Sequence, residues 1–378
     1  MPTIERAHAS AARESHHGRN SASSKNIAFT AIVVGLLLFM FSFATRDISS
    51  RVARPDVTGH PRATKAFLGT TAWPFVFEVC ALLSFVIVGT ILVMRSWDER
   101  RPTMALLFFL AGNGLVWLDP WGNWGPYATY DPRLLHWPDT WAWASISPTV
   151  EPVFNFIGYF AFYIGPSALA IVIQRRVIGP RVRLSAFPHK HPLITLTFIT
   201  FVVGFVIDAV AEIFFVKTGL YGYSQIPKFG SYHAGHPDQF PLLLESGATT
   251  LPFIACSLLW WRDDSGRTGA ERLATRWRVT REAGLLGVFT LMFSIMSVGY
   301  FLYLTPFFII RKFDLATSVA RPWRWCETKV YDPNGRFEKA GETGPFYPGI
   351  WAGTMSGNDE TRPVVSDPGA PLPNACKV

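Results

Sequence analysis

The sequence predicts an all-α, polytopic bundle of about seven membrane-spanning helices with polar tails at both ends. Three observations carry that prediction. Hydrophobic residues make up 49% of the 378 and charged residues only 16%, whereas soluble domains carry about a quarter charged. The apolar residues gather into charge-poor blocks of roughly 20, the length that crosses a hydrocarbon core. Short polar stretches, several of them basic, separate the blocks. A chain this apolar has ample surface to bury, which excludes disorder over most of its length. The net charge of +8 does not suggest nucleic acid as a partner, because the basic residues are dispersed between apolar blocks. Four cysteines without a CxxC or Cys/His spacing imply neither a disulfide scaffold nor a metal site.

Taken in order, residues 1–25 are rich in Ser, Ala, His and charge and read as a disordered tail. The first apolar segment, 26–45, contains no charge; it follows a long polar stretch and lacks a clean small-residue cleavage site, so it reads as a retained helix. The second, 73–94, is interrupted only by Glu78. The third, 102–118, is short and closes on Asp119. The fourth, 150–173, begins beside Glu151; the fifth, 192–216, contains Asp208 and Glu212; the sixth, 240–261, contains Glu245. The seventh, 283–310, is uncharged and long enough to span with tilt. Residues 311–378 form a polar, Gly- and Pro-rich C-terminal region, where Cys326 and Cys376 would pair only on an oxidising side.

Loops after the second, fourth and sixth segments hold fourteen Lys and Arg, against three after the third and fifth. The positive-inside rule then puts the N-terminus in the cytoplasm and the C-terminus outside a cell membrane. The basic stretch after the first segment (Arg46, Arg51, Arg54, Arg62, Lys65) runs against that count.

The informative feature is the acids inside these blocks. An ionisable residue near the bilayer centre costs at least about 2.5–3.5 kcal/mol, so it faces the bundle interior and marks a function. Asp208 and Glu212, four apart, share one helix face. Two carboxyls so placed in low dielectric cannot both ionise easily, which suits one to donate a proton and the other to accept. No basic residues inside the helices match these acids. Each of the others has a plainer reading beside the functional one. Glu245 follows Pro241 and suits a helix N-terminus. Glu151 lies between Thr149, a candidate N-cap, and Pro152. Glu78 lies near a helix start, within reach of the interface.

The stretch from Trp117 to Pro152 contains Trp117, Trp121, Trp124, Trp137, Trp141 and Trp143 but only one basic residue, Arg133. Trp and Tyr belong at the membrane–water boundary. Together with the turn-forming Asp119-Pro120 and Asp131-Pro132, they suggest an aromatic lid from which Asp119 and Asn123 project into a cavity. Trp121 and His136 are candidate substrate contacts there, along with Asn123, Glu245 and Glu78; a lone histidine such as His136 is more often an interfacial hydrogen-bonding residue.

There is no HExxH, GxSxG or Walker loop and no paired Asp-rich motif, so neither a metal nor a cofactor is expected. Asp119-Pro120 with Asn123, the aromatic loop through Trp137 and Trp141, and the stretch PTVEPVFNFIGY (148–159) resemble the AveC-like spirocyclases of actinobacteria. That resemblance implies a membrane protein of secondary metabolism. Its implied chemistry is closure of a polyketide or lipid-like dihydroxy-ketone to a spiroketal, with an associated dehydration. It supplies no catalytic set, so the candidates come from the residues themselves: Asp208 and Glu212 as the acid pair, Glu151 or Asp119 as base, and tryptophan faces for the cation. The expected partners are a hydrophobic small molecule and membrane lipids. The alternative is a proton-coupled transporter or lipid-binding membrane protein using the same acids; an inverted repeat and obviously broken helices, which transporters often show, are not apparent.

Overall fold

A computed structural model describes residues 35, 38–46, 66–131, 133–138, 140–236, 238–313, 315–319, 330–331 and 346–347. Six helices among them are long and apolar enough to cross a membrane: α1 (Trp73–Asp98), α2 (Met104–Trp124), α3 (Val153–Arg181), α4 (Pro192–Thr218), α5 (Leu242–Trp260) and α6 (Leu285–Lys312). They correspond to the second through seventh predicted segments and establish an all-α polytopic bundle. The N-terminal tail, most of the first segment, most of the C-terminal region and the Cys326–Cys376 pair lie outside the described residues; residues 38–41 are helical.

Burial sorts the helices. Two thirds of the most apolar stretch of α2 is buried, against 6% for α1, so α2 is central and α1 peripheral. On α1, Val79, Leu82, Leu83, Val86 and Ile87 are exposed, as a lipid-facing surface requires. The main core gathers Leu107, Phe108 and Leu115 of α2, Phe156 and Tyr163 of α3, Phe253 of α5 and Met292, Met296 and Phe307 of α6.

Three of the six helices are irregular. α2 begins on Thr103, whose Oγ1 accepts from the Leu106 N–H at 3.2 Å. It tightens to a 3₁₀ turn at Leu115–Leu118 and resumes as Asp119–Trp124. The expected stop at Asp119-Pro120 is therefore a continuation: Pro120 falls in the first turn of the new piece, where a missing N–H costs nothing. α3 widens to a π turn at Phe160–Ile164 just before Gly165-Pro166. A wider turn relieves the clash that a mid-helix proline imposes on the preceding carbonyl. α5 consists of Leu242–Ala248 and Thr250–Trp260. Pro252 has no N–H to return, and Thr249 donates its hydroxyl to the Glu245 carbonyl at 2.7 Å. Broken helices, not apparent in the sequence, are thus present.

The connections at one end form a packed cap. β1 (Ala128–Tyr130) pairs antiparallel with β2 (Tyr221–Tyr223), with Ala128 opposite Tyr223 and Tyr130 opposite Tyr221. β3 (Gln225–Ile226) pairs antiparallel with β4 (Ser318–Val319), and β5 (Val330–Tyr331) pairs parallel with β6 (Phe346–Tyr347). Trp137 is fully buried and stacks on Trp141 at 6.0 Å. The Trp143 indole N–H bonds the Trp117 carbonyl at 2.8 Å. Most of residues 125–152 are buried, so this loop is part of the core more than a belt. At its rim, Arg46 pairs with Glu78 at 2.6 Å and Arg133 with Asp131 at 2.6 Å, both guanidinium groups lying over the Phe75 ring.

Gly125 marks where α2 meets α6: a Cβ there would stand 2.7 Å from the Phe307 Cβ, whereas one at Gly158 would clear its neighbours by 4.0 Å. Gly125→Val is therefore expected to destabilise the protein by about 1–3 kcal/mol through overpacking. Gly158→Ala should leave the thermal midpoint in detergent within a degree or two, about the size of surface-like substitutions. Thermal denaturation of the two variants checks the contrast.

Candidate functional site

A cavity of about 370 Å³ lies among the six helices beneath the cap, within the size range of small-molecule sites. Three carboxyls face it: Asp119 from α2, Glu212 from α4 and Glu245 from α5. No Lys, Arg or His is among the lining residues, so carboxylate charge there has no side-chain counter-ion.

Hydrogen bonds from phenols and amides take that place. Four donors converge on Asp119. Asn123, one turn on, reaches its Oδ2 at 2.9 Å, and Asn155 of α3 reaches the same oxygen at 2.5 Å. The Tyr159 hydroxyl donates to Oδ1, as does that of Tyr300 of α6 at 3.1 Å. An acceptor-only carboxylate is the natural centre of such a set. Across the cavity, Tyr221 and Tyr223 of β2 both donate to Glu212 Oε2, the latter at 3.1 Å. Tyr303 of α6 donates to Glu245 Oε1 at 2.5 Å, and Glu245 Oε2 is buried with no hydrogen-bond partner among the described residues. Tyr300 and Tyr303 are three apart on one face of α6, so neighbouring phenols serve Asp119 and Glu245.

A second carboxyl stands behind Asp119. Glu151 Oε2 accepts from Ser147 at 2.6 Å and from Asn123 at 3.1 Å, so the Asn123 amide bridges the two acids. Burial, then the adjacent Asp119, pushes the Glu151 carboxyl well above its ordinary range. Tyr221 and Tyr223 are likewise pushed well above the phenol range, first by burial and then by Glu212, so both remain neutral donors.

The other sequence candidates fall elsewhere. Asp208 is fully buried one turn before Glu212, but it is not among the lining residues. Its two oxygens have no hydrogen-bond partner among the described residues. Thr149 does not cap α3; its hydroxyl bonds the Tyr130 carbonyl at 3.1 Å, and Pro152 occupies the cap position. Glu78 is held by Arg46 and by the Leu135 N–H at 2.8 Å, away from the cavity. His136 lies in the cap, its Nδ1 2.9 Å from the Trp137 carbonyl and its backbone bridged to Thr45 and Pro152. Trp121 packs on the core, and no tryptophan is among the lining residues. The aromatic faces on the cavity belong to tyrosine and phenylalanine.

The family model described as Spirocyclase AveC-like matches residues 99–331, more than half of the chain. The chain belongs to the AveC-like spirocyclase family. No curated protein and no solved structure matches it. All three cavity carboxyls, Glu151 and the tyrosines that serve them lie within the matched span of this family, whereas α1 lies outside it.

Sequence reasoning did not single out Asn155, Tyr159, Tyr221, Tyr223, Tyr300 or Tyr303 as site residues. A signal existed for two of them: Glu151, Asn155 and Tyr159 recur every four residues, as Asp119 and Asn123 do, which aligns polar groups along an otherwise apolar face. The phenols of α6 and β2 carry no such mark.

The raised Glu151 carboxyl has a stability consequence. The folded state holds a proton that the unfolded chain gives up near the ordinary value of 4.5. Its contribution is complete below that pH and is lost as pH rises toward the folded value. Glu151→Gln, which stays neutral, should flatten the fall in thermal midpoint between about pH 5 and 8; an unchanged slope in a detergent-based melting series would contradict a protonated Glu151.

Proposed function

We propose that the cavity binds a polyketide- or lipid-like hydroxy-ketone and closes it by acid–base catalysis, with loss of one water. The observation that carries this reading is the free Glu245 Oε2 in the same apolar cavity as an Asp119 encircled by four donors. In the proposed sequence, Glu245 gives its proton to the ketone oxygen while a substrate hydroxyl adds to the carbonyl carbon. Asp119 takes that hydroxyl's proton, leaving a hemiketal. Asp119 then returns that proton to the new hydroxyl, which leaves as water and gives an oxocarbenium ion. The Asp119 charge and the faces of Tyr159 and Tyr300 stabilise that cation. A second substrate hydroxyl captures it and gives its proton to Glu245, which restores the acid and yields the spiroketal. Loss of a neighbouring C–H proton instead gives a dehydrated enol ether from the same ion. Glu212 acts as a further proton carrier, and Asp208 behind it as its reserve; Glu151 and Asn123 position Asp119.

We further read the basic end, with Arg175, Arg176, Arg262 and Arg267, as cytoplasmic, and the cap as facing out of a cell membrane. The interrupted helices beside Asp119, Tyr159 and Glu245 favour a second reading, proton-coupled transport, because discontinuous helices often frame transporter sites.

Asp119→Asn and Glu245→Gln should each lower turnover by about 10²- to 10⁴-fold, the usual contribution of a positioned acid or base. Asp208→Asn should cost less. Untargeted mass spectrometry of producing cells tests the reading without a known substrate. Loss of the gene, or Asp119→Asn, should accumulate a species heavier than the product by one water. Unchanged masses with a shifted distribution between cells and medium would replace catalysis by transport.

A further inference from the structure

The cavity is not sealed, and the exposure of its lining residues locates its opening. On the cap side, Ala128, Tyr130, Tyr221 and Tyr223 are all buried. The exposed lining residues are instead Cys80 and Ser84 of α1 and Ala161 of α3. Ser84 lies eleven residues into α1, about 16 Å along the helix at 1.5 Å per residue. That is near the middle of a hydrocarbon core about 30 Å thick. The opening therefore faces acyl chains, not water.

The local packing explains it. α1 meets α4 through an aromatic cluster at its start, where the Phe77 ring lies 5.1 Å from Phe215 and 5.7 Å from Phe214. Beyond it, Cys80, Ala81 and Ser84 present small side chains at helical spacing. Gly158 and Ala161 do the same on α3, where the π turn re-aims the backbone. Above the opening, Arg46 and the Leu135 N–H both bond Glu78, and Arg133 lies over the Phe75 ring, which ties the cap to the start of α1. Inside stands the unpartnered, buried Glu245 Oε2.

We propose that this opening is the substrate portal and that the ligand is a membrane-partitioned amphiphile. Its oxygenated part reaches the three carboxyls, and its apolar chain lies through the gap between α1, α3 and α4. The oxygenated-head part of this inference rests on the proposed chemistry; the lateral route does not.

Cys80 is a native reporter of the route. The full-length protein in lipid nanodiscs would be treated with a lipophilic pyrene maleimide or a sulfonated, membrane-impermeant maleimide, and Cys80 modification read by peptide mass spectrometry. Modification by the pyrene reagent alone is expected, slowed several-fold by Ala161→Trp, while full reaction after SDS shows that the thiol is competent. A long-chain hydroxy-ketone should protect Cys80, and its short water-soluble analogue should not. Comparable modification by the sulfonated reagent, equal protection by the short analogue, or no modification before SDS would each overturn the proposal. Labelling as expected alongside an inactive-site variant without effect on turnover would leave the portal standing and remove the chemistry. Aqueous labelling with Asp119→Asn still inactive would do the reverse.

Discussion

Acid without counter-ion is the constraint on which this structure depends. Three carboxyls face one apolar cavity inside a membrane bundle, and no basic side chain is among its lining residues. Burying such groups unsatisfied costs several kcal/mol each, whereas a charge-assisted hydrogen bond contributes about 1.5–3 kcal/mol. Only convergence of several donors closes that gap, and Asp119 receives four. The four donors come from three helices: Asn123 from α2, Asn155 and Tyr159 from α3, Tyr300 from α6. The site therefore exists only when those helices are packed together, which ties the chemistry to the integrity of the bundle.

The helix irregularities belong to the same logic. A straight helix places side chains on a fixed spiral, and three of the six depart from it beside a cavity carboxyl or its phenol donor. The 3₁₀ turn precedes Asp119, the π turn follows Tyr159, and the interruption of α5 follows Glu245. Freed backbone groups inside a bilayer are tolerated only where protein or a cavity covers them. The cap does the covering at one end: β1 and β2 join the loops after α2 and α4, and the same strand pair delivers Tyr221 and Tyr223 to Glu212. The cap is thus a wall of the site built from Tyr130, Tyr221 and Tyr223, while the tryptophans of the aromatic loop hold it together.

Much of this was legible in the sequence. Charge-poor blocks of the right length gave the six described spans to within a few residues at most ends, because burial of apolar length is a local property. Family membership was legible in short motifs around Asp119, Asn123 and PTVEPVFNFIGY. Asp119, Glu212, Glu245 and Asn123 stood out because acids and amides in apolar blocks are costly wherever they point. The ends misjudged were the C-terminal ends of α2 and α3: Asp119-Pro120 sits inside a helical turn, and α3 runs on past residue 173 through its basic residues to Arg181.

Tertiary packing alone decided which acids share the cavity. Spacing places Asp208 and Glu212 on one face of α4, yet only Glu212 reaches the cavity, since a shared face says nothing about which turn meets the void. Glu78 is as buried as the cavity acids but is neutralised by Arg46, thirty-two residues away. The tyrosines carry no sequence mark, because a phenol is equally at home in a core, at an interface or on a carboxylate. Composition and periodicity are summed along the chain, and so they determine that this protein spans a membrane and buries acids. Which donors meet which acids depends on contacts between residues as far apart as Asp119 and Tyr300, and only the folded bundle specifies those.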